Sequence, residues 1–235
     1  ETIVSAAENA QFSLQTTLSI QNLQQEFFEH LHHYHDTGAT ETLRRAFSVY
    51  SVDQVLDQVI EPTMVAIGEA WHRGEISISV EHYATQFCIQ HLMGMLSASN
   101  QPSREGVILA ACAPGEMHQI GLLSLVVTLR WRGWDVKYFG QDLSLERIQE
   151  TLIETRPDAL LFTATRLETA RALKDLNPIL DQYPYARPLT ILGGKGFSAE
   201  EPVNVSQARI INLPLSETVE RIETLIYPRA LSLPD

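Results

Sequence analysis

The stretch Val107-Ile108-Leu109-Ala110-Ala111-Cys112-Ala113-Pro114-Gly115-Glu116-Met117-His118-Gln119-Ile120-Gly121 decides the fold of this 235-residue chain. Its apolar first half is typical of a buried strand, and a helical pattern begins near Leu122, after the Pro-Gly loop. A histidine on such a strand-to-helix loop is a candidate metal ligand. Glu116 stands two residues earlier and could hold the far nitrogen of its ring. Taken alone, this short motif favours an exposed loop histidine, so its meaning depends on the rest of the chain.

The second half of the chain alternates strands with helices. We predict strands near 107–112, 134–139, 159–163, 189–192 and 209–212, and helices near 119–132, 144–155, 167–181 and 215–226, with a short one near 198–206. This alternation predicts a doubly wound parallel sheet of the flavodoxin-like or Rossmann-like kind. Such sheets bind ligands at the carboxyl ends of their strands. His118, Thr163 and Gly193-Gly194 each follow or end a predicted strand, so we expect them at one edge of the sheet.

The first half is helical in pattern and predicts a four-helix bundle. Apolar residues recur at spacings of three and four over 18–35, a shorter helix spans 40–50, and a third follows the capping-box pattern Ser51-Val52-Asp53-Gln54. Pro62 marks a kink or a break in that helix. The fourth helix runs from Ser79, its expected cap, to about Leu96. We therefore divide the chain into a lead-in (1–17), a helical bundle (18–97), a linker (98–106) and an α/β domain (107–235).

Composition narrows the range of functions. The net charge is −12, and no Lys or Arg precedes Arg44, which argues against binding to nucleic-acid phosphates or anionic membranes. No apolar run is long enough to span a bilayer, and no secretory signal is visible. Cys88 and Cys112 lie in apolar patterns without metal-like spacing, so we expect buried free thiols in a cytoplasmic protein.

Three sequence elements together resemble a cofactor signature. Forty-one residues separate Gly121 from Thr163-Ala164-Thr165, and twenty-seven separate Thr165 from Gly193-Gly194. This resembles the cobalamin-binding signature of the methionine-synthase and mutase superfamily, Asp-x-His-x-x-Gly, then a Ser-x-Leu step, then Gly-Gly. Glu116 replaces the Asp, and the threonines replace Ser and Leu. The resemblance implies that His118 is the lower axial cobalt ligand and that Glu116, Gly121, Thr163, Thr165, Gly193 and Gly194 belong to the cofactor site, with the displaced nucleotide tail in a slot between the threonines and glycines.

A second resemblance lies in the bundle. Trp71 is followed after nine residues by Glu81-His82, with His72 directly after the tryptophan. This resembles the CarH-type cobalamin photoreceptors and implies that the bundle caps the upper corrin face. Trp71 and Glu81 would contact the 5′-deoxyadenosyl group of adenosylcobalamin, and His82 would lie near the same cap. We hypothesise that His72 becomes the upper cobalt ligand after light breaks the cobalt–carbon bond.

The CarH-type family joins this unit to an N-terminal winged-helix DNA-binding domain, which the present sequence does not contain. We therefore expect no direct DNA binding, and output through a homo-oligomer (dimer or tetramer) or an unknown downstream protein. Related sensors also bind a linear tetrapyrrole, and Phe27, Phe28, Tyr34 and the histidines near them could serve a bilin such as biliverdin. His30, His32, His33 and His35 could also bind metal, but a solvated helix end, where the helix dipole favours histidine, is the interpretation we prefer.

Other functions remain open at this point. Corrinoid proteins of methyltransferase systems also place a helical cap over such a sheet and shuttle a methyl group on cobalt, but a methyl needs no tryptophan and carboxylate cap. A mutase is disfavoured because no substrate barrel is present. A response-regulator-like module without cofactor would need an acceptor Asp after the first strand, where Ala113-Pro114-Gly115 stands. The sequence therefore favours a non-enzymatic light sensor, with the methyl shuttle as the alternative.

Overall fold

The structure, a computed structural model, describes residues 19–197 and 203–230, the last three of these by backbone alone. The predicted lead-in at 1–17 lies outside the described residues. The chain forms two compact units, Glu1–His91 and Leu92–Asp235. No described helix is both long enough and apolar enough to cross a membrane.

The first unit is helical, as the periodicity predicts. Its elements are α1 (Ile20–His32), α2 (Asp36–Val49), α3 (Val52–Val55), a π-helical turn (Leu56–Ile60), α4 (Glu61–His72) and α5 (Ile78–Ser97), which continues into the second unit. The apolar stripe of α1 is buried, with Leu23, Phe27 and Leu31 fully covered. This burial supplies most of the stability of such a helix.

The structure tests three local predictions in the helical unit. The capping box at Ser51 and Gln54 is present, which confirms that prediction. Pro62 lies in the first turn of α4, directly after the π-helical turn, so its missing N–H is accommodated without a break. The last helix begins at Ile78, and the carbonyl of Ser77 accepts its first backbone hydrogen bonds, so the predicted cap at Ser79 is wrong by two residues.

The second unit is a five-stranded parallel sheet with helices. Its elements are β1 (Val107–Cys112), α6 (Ile120–Trp131), β2 (Asp135–Gly140), α7 (Ile148–Thr155), β3 (Ala159–Thr163), α8 (Leu167–Ala172), a 3₁₀ turn (Leu173–Asp175), α9 (Leu176–Asp181), β4 (Leu189–Gly193), β5 (Arg209–Ile210) and α10 (Leu215–Ala230). The strand order is β2-β1-β3-β4-β5, which is the flavodoxin-like order. The predicted fold class is confirmed.

The parallel register places the strand ends side by side. Cys112 of β1 pairs with Thr163 of β3, and Thr163 pairs with Gly193 of β4. The chain passes from β1 to β2 on one side of β1, and then returns to β3 on the other side of β1. The direction of the connections therefore reverses between β1 and β3, and this position is the topological switch point. The loop that carries His118 starts there.

Some predicted boundaries differ. Within the predicted linker, the backbone N–H groups of Ser103 and Arg104 donate to the Gly133 carbonyl, and the Arg104 side chain pairs with Glu223. The division between the two compact units falls within α5, between His91 and Leu92, whereas the sequence pattern places a linker at 98–106. The segment 144–147 does not join α7, because Arg147 adopts the left-handed conformation, φ 59°. Residues 203–206 are not helical, and 198–202 lie outside the described residues.

Candidate functional site

The loop between β1 and α6 holds a buried carboxylate against an exposed imidazole. Nδ1 of His118 lies 2.5 Å from Oε1 of Glu116, and the backbone N–H of His118 donates to the same oxygen at 3.0 Å. The Glu116 side chain is fully buried, whereas that of His118 is 67% exposed. The loop thus fixes one end of the histidine and leaves the other end toward solvent.

The second carboxylate oxygen of Glu116 is bound by the β3–α8 segment. Oε2 accepts from the backbone N–H of Thr165 at 2.7 Å, from its hydroxyl at 3.0 Å and from the hydroxyl of Thr169 at 2.9 Å. Burial by itself disfavours the charged form. The donors from His118, Thr165 and Thr169 outweigh that effect and lower the pKa of Glu116 to about 2. Glu116 is therefore a carboxylate at neutral pH.

This ionisation fixes the tautomer of His118. A carboxylate only accepts hydrogen bonds, so the proton of the neutral ring stands on Nδ1, and the Nε2 lone pair is left for another partner. This is the arrangement typical of a metal-ligating histidine, whose second nitrogen donates to a carboxylate. His118 thus presents one oriented nitrogen donor at the switch point of the sheet.

The two threonines of the predicted signature have different surroundings. The Thr165 hydroxyl lies 2.9 Å from Nδ1 of His118 in addition to its bond with Glu116. The Thr163 hydroxyl contacts only the Cys112 sulfur among the described hydrogen-bond partners, at 3.6 Å. Thr165 therefore acts on the histidine within the protein, a role that sequence reasoning did not assign, since it placed both threonines in the tail slot.

Asp142 and Arg166 brace the same loop and, like Thr169, were not predicted from the sequence. Oδ1 of Asp142, after β2, accepts from the Gly115 backbone N–H at 2.6 Å, and the Asp142 N–H donates to the Glu116 carbonyl at 2.9 Å. Arg166 donates to the Gly115 carbonyl at 2.9 Å. The loops after β1, β2 and β3 are thereby joined around Glu116. No local sequence pattern marks these contacts, which join residues 26 to 51 positions apart.

The glycines at the end of β4 have a structural requirement of their own. Gly194 has φ +102°, and a Cβ there would lie 2.4 Å from the Ala164 carbonyl oxygen. A Cβ on Gly193 would lie 3.0 Å from the Ile211 carbonyl oxygen. Close backbone approach within the protein therefore explains these glycines. Gly121, in the first turn of α6, differs because a Cβ there meets nothing within 4 Å.

The predicted cap residues of the helical unit lie around the α4–α5 connection. Trp71 is 38% exposed, so it is not an ordinary core residue, and its ring lies 4.7 Å from that of the exposed His72. In the first turn of α5, Glu81 accepts from Thr85 at 3.0 Å and contacts Nδ1 of His82 at 2.7 Å. An exposed aromatic pair and a hydrogen-bonded carboxylate are therefore available for a ligand.

The aromatic and histidine side chains of the predicted second-chromophore site have different surroundings in the structure. Phe27 is fully buried and packs against Phe87 at 6.0 Å, so it is a core residue and not free for a second chromophore. His30 and His35 contact each other, Nδ1 to Nδ1, at 3.1 Å. Gly38 lies inside α2, where a Cβ would lie 2.5 Å from the His30 ring.

The architecture defines a class of protein. A helical unit followed by a five-stranded parallel sheet matches the Rossmann-like fold of corrinoid proteins. Two family profiles, each described as a B12 binding domain, match residues 23–96 and 106–209, one in each half of the chain. These matches support a cobalamin cofactor.

Particular relatives are similar over parts of the chain. The HTH-type transcriptional repressor CarH of Myxococcus xanthus is 29% identical over 136 residues, 57% of this chain and 44% of that protein. CarA of the same organism is 25% identical over 182 residues, 77% of this chain and 60% of that protein. The methanol–corrinoid protein of Methanosarcina barkeri is 28% identical over 93 residues, 40% of this chain and 36% of that protein. The chain thus spans between about a third and three fifths of these relatives.

A solved structure matches the fold. The monomethylamine corrinoid protein of Methanosarcina barkeri superposes with a TM-score of 0.72 at 16% identity, covering 88% of this chain and all of that one. At this identity the likeness concerns the fold. Together, the profiles and the relatives support a cobalamin-binding protein of the CarH kind.

The residues present fit this cofactor. Cobalt takes imidazole nitrogen, and His118 offers an oriented, exposed Nε2. In the described part of the chain, the hydroxyls of Ser124 and Thr128 in α6 are buried without a hydrogen-bond partner. Buried polar groups are normally satisfied, so these two hydroxyls are polar positions that the protein itself leaves without a partner.

Proposed function

We propose that this chain is a light-sensing regulatory protein that takes adenosylcobalamin as its chromophore. The observation that carries the proposal is the Glu116–His118 pair, which prepares a nitrogen donor for cobalt at the ligand edge of the sheet. The similarity to CarH and CarA supports the choice of a regulator over an enzyme. When bound, adenosylcobalamin supplies a cobalt–carbon bond that visible light breaks.

In the sheet unit, the loop that carries His118 would bind the cobalt. His118 offers Nε2, Glu116 keeps the proton on Nδ1, and Thr165 and Thr169 hold the carboxylate. Gly121 leaves open space beside the loop. Thr163 is proposed to line the tail slot with the Gly193-Gly194 turn. Because the carboxylate is already bonded on both oxygens, the histidine is oriented before the ligand arrives, which lowers the ordering cost of binding.

In the helical unit, Trp71, Glu81 and His82 would contact the adenosyl group. The exposed Trp71 ring offers apolar area to the adenosyl group, and Glu81 offers a hydrogen-bond acceptor that Thr85 orients. His72, whose ring lies 4.7 Å from that of Trp71, would be a further nitrogen donor for the cobalt. Loss of these contacts would shift the populations of conformations of the helical unit or of oligomeric states, and we propose this shift as the signal to a partner protein.

A methyl-shuttling corrinoid protein is the second candidate, favoured by the likeness to the methanol–corrinoid protein. Cofactor preference separates the two functions. A light sensor gains affinity from the adenosyl group, whereas a shuttle binds methylcobalamin and adenosylcobalamin alike.

The experiment measures dissociation constants of both cobalamins in the dark for the parent, Trp71→Ala and Glu81→Gln. Trp131→Ala is the matched control, because Trp131 is an exposed tryptophan of the sheet unit. We expect adenosylcobalamin to bind at least about tenfold more tightly than methylcobalamin, and Trp71→Ala to remove most of that preference while Trp131→Ala keeps it. Equal affinities in the parent favour the shuttle. A preference that Trp71→Ala leaves intact contradicts the assignment of Trp71.

A further inference from the structure

The last turn of α1 gathers three metal-binding side chains. Glu29, His32 and His33 each offer a ligand atom, and these atoms lie within 4.8 Å of one another. This is the one such group of three among the described residues. We propose that Glu29, His32 and His33, here called the α1-end site, bind a divalent transition metal ion of the zinc class. The site is independent of the cobalamin assignment.

The donor set selects the metal class. Two imidazoles and one carboxylate suit zinc, nickel or copper, whereas calcium and magnesium require oxygen ligands. Zinc bonds to nitrogen and to carboxylate oxygen measure about 2.0–2.2 Å, so its ligand atoms must lie somewhat closer than 4.8 Å. Glu29 and His33 are 51% and 68% exposed, so both side chains can make this small movement.

Contacts behind the ligands already orient two of them. Nδ1 of His33 lies 2.9 Å from the Glu29 backbone carbonyl, which can only accept, so Nδ1 carries the proton and Nε2 is the unprotonated nitrogen that a metal would use once the ring turns toward Glu29. Gln25 donates to Oε1 of Glu29 at 2.8 Å, while Oε2 of Glu29 lies 3.9 Å from Nδ1 of His33. Outer contacts of this kind typify metal sites.

The neighbouring histidines form a separate pair. His30 and His35 lie Nδ1 to Nδ1 at 3.1 Å, a distance at which one ring donates to the other. They therefore engage each other instead of joining the α1-end site. This division, together with the inclusion of Glu29, is invisible in the sequence, where four histidines stand within six residues. His35→Ala is thus a matched control that removes a nearby histidine and no proposed ligand.

The experiment titrates zinc into cobalamin-free protein that carries no affinity tag and follows binding by calorimetry. We expect one zinc per chain with an affinity that falls at least about tenfold in His33→Ala and in Glu29→Gln, and changes less than twofold in His35→Ala. Circular dichroism checks that each variant is folded. Zinc affinity that is the same in the parent and in His33→Ala, or no zinc uptake by the parent at millimolar zinc, overturns the proposal.

Nuclear magnetic resonance of the ring nitrogens locates the zinc directly. We expect zinc to shift the Nε2 resonance of His33 and one ring nitrogen of His32, and to leave His118 unchanged at one equivalent. A shift of His118 or His72 without one at His32 and His33 places the zinc elsewhere and contradicts the α1-end site. Neither result bears on cobalamin binding, so the two proposals fail separately.

Discussion

Nδ1 of His118 lies 2.5 Å from a Glu116 carboxylate that is fully buried, while the rest of the imidazole remains exposed. The two side chains are only two residues apart, yet the carboxylate is held mainly from outside their loop. Donors from Thr165 and Thr169, about fifty residues downstream, bind its second oxygen. The orientation of the candidate cobalt ligand therefore depends on the loops after β1 and β3 together.

Glu116→Gln removes the charge that fixes the proton of His118. The amide has one acceptor oxygen in place of two and can itself donate, so the ring is free to change tautomer. We expect the affinity for cobalamin to fall about 10- to 100-fold, the usual cost of losing such a partner. Spectrophotometric titration measures the loss. An affinity within twofold of the parent contradicts the role given to Glu116.

The low pKa of Glu116 makes stability depend on pH in a stated direction. The folded pKa of about 2 is below the ordinary 4.5, so folding favours the carboxylate. The stabilisation is fully present above about pH 4.5 and is lost as the pH falls toward 2. It amounts to roughly 3 kcal/mol, since one pKa unit is about 1.4 kcal/mol. Urea unfolding of the parent and Glu116→Gln between pH 2.5 and 7 tests this, and we expect the difference to shrink in acid. A difference that is constant across this range rules the explanation out.

The two signature threonines should respond differently to removal of the hydroxyl. Thr165→Val deletes contacts to both Glu116 and His118, whereas Thr163→Val deletes a 3.6 Å contact to the Cys112 sulfur. We expect Thr165→Val to lower unfolding free energy by about 1–2 kcal/mol and Thr163→Val by less than about 1 kcal/mol. Denaturant titration without cofactor is the measurement. A larger loss for Thr163→Val contradicts this assignment.

Alanine at Gly194 and at Gly121 forms a second matched pair. The Gly194→Ala side chain would meet the Ala164 carbonyl oxygen at 2.4 Å on a backbone of φ +102°, so we expect a loss of at least about 2 kcal/mol. Gly121→Ala adds a methyl in open space on α6, so stability without cofactor should stay within about 1 kcal/mol. Reduced cobalamin affinity in a stable Gly121→Ala protein is the outcome expected if the ligand uses that space. Unchanged affinity removes Gly121 from the site.

Much of the fold was predictable from the sequence because burial imposes periodicity. The strand Val107–Cys112 is a continuous apolar run and matches the prediction residue for residue, as does Ala159–Thr163. A helix boundary that depends on the backbone conformation of one residue was not predicted correctly. Arg147 adopts positive φ without a glycine signal, so α7 begins four residues later than predicted.

The sequence predicted several residues of the site but not the hydrogen bonds that join its loops. Motif spacing brought out Glu116, His118 and Thr165, but the bracing by Asp142, Arg166 and Thr169 depends on which loops meet in space. Ordinary polar residues at those positions carry no local signal. The glycines after β4 were predicted from the signature, and the structure adds a backbone contact that requires Gly194 with or without a ligand.

The most direct test of the central claim is the visible absorption spectrum of the protein loaded in the dark with adenosylcobalamin, recorded before and after green light. We expect a bound dark form with a histidine-ligated spectrum and a stable, different spectrum after illumination. His118→Ala should not give the histidine-ligated form. If the protein does not bind adenosylcobalamin, or if it captures methylcobalamin and shows no response to light, the light-sensor account is contradicted in favour of a methyl shuttle.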